Sequence, residues 1–568
     1  MTIRRAAVTI GALLLVVALA TTAFRAGSPR AQQAATLVAS IRAEPRSFNR
    51  YTARDLSTTV VTYLTQAGLV RVNRSTDRLE GELAERWELL PDQKTYRVTL
   101  RPGLTFSDGE PFTADDVAFS FRALYDERGG TALADSVRVS GRPITVTVEN
   151  TTTVLVRFPA PFAPGLRLLD GIPMLPRHRL ESALVNGRFA EAWGVSATPG
   201  QVIGLGPFVL TRYAPGQRLA FDRNPHYTSP AGRLGAGAVQ HVILDVVPDQ
   251  DAEQLRLTAG AIDITQSELR PSDWRALREA TADRRVRIAD AGIGLDGDLL
   301  WMNLRRDKAA DPRSPWLQHA SFRRAIAQAI DLRAFADFVY LGHAVPALGV
   351  VSPGNVPWYV DAGGPRFDPD AARASLASLG LTSRTGDSIL EDRHGRPVRF
   401  TLLTQAGNTS LERGASVIRD ALTRLGVAVD VVRLEAGALV HRIESGDYDA
   451  IYFRLLTTDA DPALNLDFWR SSGGGHVWNP EQSKPATEWE ADIDTLIERV
   501  AARSNPGERR DAFAAVQRIM ARELPAMAFA FPRLSVAIAA RVHGASAAAF
   551  RPPVLWNPAD LAVDDGRR

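Results

Sequence analysis

The residues best suited to bind a small molecule are concentrated between positions 449 and 480. Carboxylate, guanidinium, hydroxyl, amide and indole groups lie close together there, and we take eight residues as candidate ligand contacts: Tyr452, Arg454, Thr458, Asp459, Asp461, Trp469, Trp478 and Asn479. A carboxylate forms charge-assisted hydrogen bonds with amines, an arginine can hold a carboxylate through two hydrogen bonds, and indole rings cover apolar surface. The same residue types also cap helices and fill cores. Arg454 is therefore expected either to bind a ligand carboxylate or to balance Asp459 and Asp461, and both tryptophans either to line a cleft or to fill a core.

The sequence has no local signature of catalysis or cofactor binding. The stretch GIGLDG at 292–297 spells the dinucleotide motif, but that motif must open a helix, and the next residues, DLLWMNL, have the composition of a strand. The nine histidines lack metal-binding spacing, cysteine is absent, and no G-x-S-x-G, P-loop or S-x-x-K motif occurs. We expect no cofactor, no metal and no enzymatic activity. A secreted hydrolase with a triad assembled from distant positions is the competing hypothesis.

The charge distribution argues against nucleic-acid binding and for export. The formal charge of +3 includes four arginines and no acid within residues 1–35, so the remainder carries 63 basic and 64 acidic side chains, a net charge of −1. That first segment has a basic start and an uncharged run from Ala6 to Phe24, which is typical of a signal peptide or, if uncleaved, of a membrane anchor. Because no cysteine can carry a lipid, we expect a free periplasmic protein.

The segment from Leu83 to Asp126 predicts a strand, a turn and a capped helix, in that order. Apolar and polar residues alternate from 96 to 101, as a strand with one buried face requires. A Ser-Asp-Gly sequence at 107–109 favours a turn. Thr113 is the expected N-cap of the following helix, and Asp116 lies three residues on, where it completes a capping box.

The residues of this segment, DQKTYRVTLRPGLTFSDGEPFTADDV followed by FSF, resemble the signature of the extracellular solute-binding proteins, family 5. These are the oligopeptide and dipeptide receptors of ABC importers. Further matches follow in the family's order: GLGPF at 204–208, RNPHY at 223–227, GAID at 260–263, a helix from Ser321 to Ala336, and closing helices between 493 and 525. The resemblance covers roughly residues 36 to 540 and implies an α/β, two-lobed periplasmic-binding-protein fold of type II and the large peptide-binding class. Mixed sheets flanked by helices and two hinge crossings belong to that fold.

Carried over to this chain, the family's organisation gives four segments. They are residues 1–35 as signal peptide or anchor, 36–296 as lobe I with an extra subdomain at about 75–200, 297–526 as lobe II, and 527–568 as the return to lobe I and the tail. The crossings are expected near Gly292 to Asp298 and near Pro525 to Arg533. A pair of lobes joined in this way can close over a ligand and present a new surface to a transporter.

The resemblance also implies a role for the segment 449–480. In peptide-binding members this region lines the cleft, and an aspartate just ahead of a proline pairs with the peptide's α-amino group. Counted back from Pro462 without a gap, that position falls on Thr458, and Asp459 and Asp461 follow. Either a small shift in this alignment gives the amine-anchoring role to Asp459, or the ligand has no amine to anchor.

The predicted function is the periplasmic substrate-binding component of an ABC importer. It would capture a short peptide or a similar small organic solute between two closing lobes and deliver it to the membrane permease. The expected partners are that ligand and the permease subunits, with no nucleic acid, and we expect a monomer. The alternative is a membrane-tethered solute sensor or chemoreceptor partner of the same fold.

Overall fold

The computed structural model describes residues 35–228, 238–305, 314–383, 388–456, 459–480 and 482–564. The predicted signal segment and Thr458 lie outside these residues, apart from Ala35. Within them the strands are β1 (Thr36–Ile41), β2 (Val70–Asn73), β3 (Arg78–Gly81), β4 (Ala84–Leu89), β5 (Thr95–Leu100), β6 (Thr145–Asn150), β7 (Thr153–Arg157), β8 (Phe208–Ala214), β9 (Arg218–Arg223), β10 (His241–Val246), β11 (Val286–Ile293), β12 (Gly297–Met302), β13 (Ala344–Pro346), β14 (Arg399–Gln405), β15 (Ala428–Leu434), β16 (Ala450–Leu455), β17 (Ala526–Ala528), β18 (Ala530–Ala539), β19 (Val542–His543) and β20 (Ala562–Val563).

Helices connect and flank these strands. They are α1 (Leu56–Thr65), α2 (Ala114–Leu124), α3 (Arg177–Val185), α4 (Gln250–Thr258), α5 (Asp273–Ala276), α6 (Arg278–Ala282), α7 (Ser314–Leu317), α8 (Ala320–Gln328), α9 (Leu332–Tyr340), α10 (Pro369–Ser378), α11 (Thr409–Thr423), α12 (Ala436–Ser445), α13 (Leu466–Trp469), α14 (Glu488–Ala502) and α15 (Pro506–Glu523). No helix in the described ranges is both long and apolar enough to cross a bilayer.

Two groups of sheets divide the molecule, and we call them lobe I and lobe II. Lobe I contains the mixed sheet β1-β10-β9-β8, the antiparallel pair β11-β18, the antiparallel sheet β4-β5-β7-β6, and the two-stranded pairs β2-β3 and β19-β20. β13 pairs with the first residues of β18, where that strand leaves lobe II. Lobe II contains one sheet in the order β15-β14-β16-β12-β17, where β14 runs parallel to both β15 and β16 while β12 is antiparallel to its neighbours. Ile264 bridges Ala39 in β1 and Ile538 in β18, so it links the first two sheets of lobe I.

The chain passes between the lobes twice, and the two passages lie side by side. The first runs from β11 to β12 and the second from β17 to β18. The glycine-rich stretch at 292–297 leads into a strand, as its sequence predicted, and not into a helix. All six residues of β12 are buried, so this passage enters the centre of lobe II directly.

The predicted strand, turn and capped helix of lobe I are confirmed. Thr113 is the N-cap of α2, and its backbone N–H donates to Asp116 Oδ2 at 2.9 Å. Val117 and Phe121 on the inner face of α2 are buried. The helix α2 packs against β6 and β7 of the sheet β4-β5-β7-β6, which also contains the predicted strand, and so stabilises lobe I.

The helix predicted from Ser321 to Ala336 is wrong in one respect, because the structure has two helices there. α8 ends at Gln328, and α9 begins after Asp331, whose side chain accepts hydrogen bonds from the N–H groups of Arg333 and Ala334. An aspartate in this position satisfies the free N–H groups of a new helix. The hydrophobic spacing continues through the break, so periodicity alone did not show it.

Candidate functional site

Asp459 joins the two lobes. Its Oδ1 atom lies 2.7 Å from Nε of Arg167, which belongs to lobe I and lies 292 residues away in the chain. Both side chains are about 12% exposed. The pKa of Asp459 is raised to about 6 because burial outweighs the opposing influence of the Arg167 charge.

Arg167 is fixed in position from within lobe I. It lies in a short 3-10 helix, Gly165–Leu169, and its guanidinium also contacts Asp77, with Nη2 2.5 Å from Oδ1 of that residue. Gly165 has a φ of 49°, and a Cβ there would lie 2.1 Å from the hydroxyl oxygen of Tyr96. Glycine is therefore required for the turn that presents Arg167 to the other lobe.

Asp461, two residues on, has a different role. Its carboxylate contacts Nη2 of Arg509 in α15 at 2.6 and 2.8 Å, and it accepts a hydrogen bond of 3.0 Å from the N–H of Ala463. Asp461 and Arg509 are 6% and 8% exposed. Asp461 is thus a buried cap and ion-pair partner inside lobe II.

Three cavities meet at Asp459. The one we call the arginine cavity, about 230 Å³, lies between lobe I and the segment that follows Asp459. Its charged lining residues are Arg50, Arg54, Arg71, Arg74, Arg167, Arg551, Glu82, Asp170 and Asp459. A second cavity, also about 230 Å³, continues past Asp296 and Phe550.

The third, which we call the apolar cavity, occupies about 100 Å³ on the lobe II side of Asp459. Trp469 and Phe513 lie in its wall with ring centroids 5.1 Å apart. Asn355 is 8% exposed and donates from Nδ2 to the carbonyl of Ala460 at 2.8 Å, whereas its Oδ1 has no hydrogen-bond partner among the described residues. That oxygen is a buried hydrogen-bond acceptor beside this cavity, without a partner in the described part of the chain.

Arg454 does not balance Asp459 or Asp461, and that expectation was wrong. Its carboxylate partner is Asp298 on the neighbouring strand β12, with Nε 2.6 Å from Oδ1. The hydroxyl of Tyr340 donates to the same carboxylate. This buried group lies where the first passage enters lobe II, and pairing across β12 and β16 brings its members together.

The remaining candidates divide between core and cavity wall. Tyr452 and Trp478 are fully buried, Tyr452 against Phe335 and Trp478 against Phe468. Asn479 is also buried and donates from Nδ2 to Gln482 at 2.8 Å. In this structure Trp469 and Asp459 are the described candidates that line a cavity at the junction of the lobes.

Sequence reasoning missed the lobe I side of the site. Arg50, Arg54 and Arg167 occur in segments with no recognisable binding motif. Only the fold brings them opposite Asp459, so no local signal could have identified them.

Comparisons with known proteins identify the family. The model of bacterial extracellular solute-binding proteins, family 5, matches residues 78–476, which is more than half of the chain. The chain belongs to this family. It is 25% identical over 491 residues to a probable D,D-dipeptide-binding periplasmic protein of Escherichia coli, covering 85% of this chain and 86% of that protein. It is 26% identical over 478 residues to the oligopeptide-binding protein AppA of Bacillus subtilis, covering 81% of each.

Solved structures share the two-lobed fold. The B. subtilis AppA structure in complex with a nonapeptide superposes with a TM-score of 0.70 at 23% identity and covers 93% of this chain and 99% of that one. The structure of NikA from Brucella suis in complex with Fe(III)-EDTA gives a TM-score of 0.76 at 19% identity and covers 93% and 100%. The α/β, two-lobed architecture is therefore that of the family.

Proposed function

We propose that this protein is the substrate-binding component of an ABC importer and captures a short peptide or a similar small organic solute between its lobes. The observation that carries the proposal is the Arg167–Asp459 contact, which joins the lobes around three cavities. Closure would require only that the ligand binds the closed state more tightly than the open state. The relatives named as peptide-binding proteins support a ligand of this class.

Closure of this kind needs the lobes to touch away from the ligand as well. The N–H of Ala163 in lobe I donates to the carbonyl of Ala501 at the end of α14, with N and O 2.6 Å apart. This contact and the Arg167–Asp459 pair join one lobe I segment, which holds Ala163 and Arg167, to two separate segments of lobe II. Together they define a closed arrangement that a permease could distinguish from an open one.

The proposal includes the protein's setting. We infer a periplasmic, monomeric receptor with lobe I at residues 36–296, lobe II at 297–526 and a return segment at 527–568. Permease subunits of an ABC transporter would be its partners, and it would have no enzymatic activity. The alternative of a tethered sensor gains no support from the family or from these relatives.

Native mass spectrometry of the protein purified from its own host tests the ligand part of the proposal. We expect a non-covalent complex with a small organic molecule, lost on mild denaturation. Membrane vesicles from the same host should then take up that molecule in the presence of ATP only when the protein is added. Protein that carries no solute and supports no uptake of candidate peptides would contradict the proposal.

A further inference from the structure

The arginine cavity contains more positive than negative charge. Six arginines and three carboxylates line it. Arg74 pairs with Asp170 at 2.7 Å, Arg167 with Asp459 at 2.7 Å and Arg551 with Asp296 at 2.9 Å. Arg71 contacts Glu80 at 3.3 Å.

Two arginines of the cavity, Arg50 and Arg54, have no carboxylate within ion-pair distance among the described residues. The guanidinium of Arg50 donates to the carbonyl of Ala53 at 2.8 Å, which leaves most of its N–H groups available. The nearest acid in sequence is Asp55, whose carboxylate caps α1 by accepting from Thr58 N–H at 2.9 Å and Thr58 Oγ1 at 2.8 Å. Asp55 therefore caps the helix and acts on Arg50 only from beyond ion-pair distance.

The remaining cavity acid does not neutralise this charge. Glu82 accepts a hydrogen bond of 2.8 Å from the N–H of Gly68, and burial raises its pKa to about 7. Burial therefore disfavours the charged form of Glu82. Burial lowers the pKa of Arg50 and the Arg54 charge adds to this, while Tyr63 and Asp55 oppose it only in part, so a neighbouring anion would be favourable for Arg50.

We propose that Arg50 and Arg54 bind an anionic group, a carboxylate or a phosphate, of the solute that the protein captures. This inference rests on the proposed function and names the chemical class of its ligand. Two guanidinium groups present paired donors that match such oxygens. A free α-amino group would instead meet a net positive cavity in which Asp459 is already paired with Arg167.

The test is a calorimetric titration with peptides that differ in charge. The probes, all amidated at the C-terminus so that only side chains carry an anion, are Glu-Ala-Glu, its N-acetylated form, Gln-Ala-Gln, Lys-Ala-Lys and a doubly phosphorylated Ser-Ala-Ser. We expect an acidic probe to bind at least tenfold more tightly than Gln-Ala-Gln, with N-acetylation changing the affinity by less than threefold. If the phosphorylated probe binds more tightly than Glu-Ala-Glu, the anionic group is a phosphate. If Glu-Ala-Glu binds more tightly, it is a carboxylate.

Substitutions test whether the two arginines are responsible for the binding of acidic probes. Arg50→Gln should weaken acidic-probe binding at least tenfold and Arg54→Gln by a smaller factor, while the matched change Arg86→Gln on the exposed edge of β4 should leave it unchanged. Unchanged binding in Arg50→Gln, preferential binding of Gln-Ala-Gln or Lys-Ala-Lys, or no binding of any acidic probe would overturn the inference. The chemical identity of the solute retained from the host shows whether only this inference fails or the proposed function fails with it. A neutral or cationic solute overturns the anionic class alone, whereas the absence of any solute or uptake counts against the receptor itself.

Discussion

Asp459 and Asp461 are two residues apart and have opposite structural roles. Asp459 reaches across to Arg167 and joins the lobes, whereas Asp461 turns inward to Arg509 and stabilises lobe II. Both contacts are ion pairs of similar length. The difference lies in the partner, because one belongs to the other lobe and the second to the same lobe. Removing Asp461 should therefore affect folding, and removing Asp459 should affect closure.

The largest expected effect is on stability at Asp461. Asp461→Ala leaves Arg509 buried without its carboxylate, and breaking a buried pair in this way costs about 3–5 kcal/mol of unfolding free energy. Urea unfolding followed by circular dichroism measures the change. The control is Asp467→Ala, which removes an exposed aspartate in α13 and should cost less than about 0.5 kcal/mol. Equal losses in both variants would contradict the role assigned to Asp461.

A smaller effect, with a characteristic pH dependence, is expected at Asp459. Its pKa is about 6 in the folded protein and about 3.9 in an unfolded chain, so the folded state binds the proton more tightly. The stability that this proton contributes is fully present below about pH 4 and is lost as the pH rises through about 6.

Urea unfolding of the wild type and of Asp459→Asn between pH 4 and 7 measures this contribution. The unfolding free energy of the wild type minus that of Asp459→Asn should increase by up to about 3 kcal/mol as the pH falls from 7 to 4. Because other groups titrate alike in both proteins, the difference isolates Asp459. A difference that stays constant with pH would show that Asp459 is not buried between the lobes.

The sequence predicted the local units of the fold well and the site only in part. The Thr113 cap and the strand between residues 95 and 100 depend on neighbouring residues, so their patterns are visible in the chain. The partners of Asp459, Asp461 and Arg454 depend on which strands and lobes meet. Asp298, for example, lies 156 residues from Arg454 and reaches it through the pairing of β12 with β16.

The resemblance to family 5 pointed to the segment 449–480, of which Asp459 and Trp469 line cavities, but it did not distinguish cavity-lining side chains from buried ones. Tyr452 and Trp478 have residue types that suit a binding wall, yet the structure buries both completely. Burial depends on what packs against a strand or loop from elsewhere in the chain. The ligand-binding roles of the eight candidates therefore stay predictions, and Asp459 and Trp469 are those that the cavities favour.

The most direct test of the contrast between Asp459 and Asp461 is a distance measurement between the lobes. The chain has no cysteine, so spin labels can be placed at Pro161→Cys and Ala502→Cys, two exposed positions beside the Ala163–Ala501 contact. Electron–electron double resonance on protein purified from its host then gives the distance distribution. We expect one short distance in the wild type, a second, longer population in Asp459→Ala, and the wild-type distribution in folded Asp461→Ala. An unchanged distribution in Asp459→Ala, or opening in Asp461→Ala, would contradict the account.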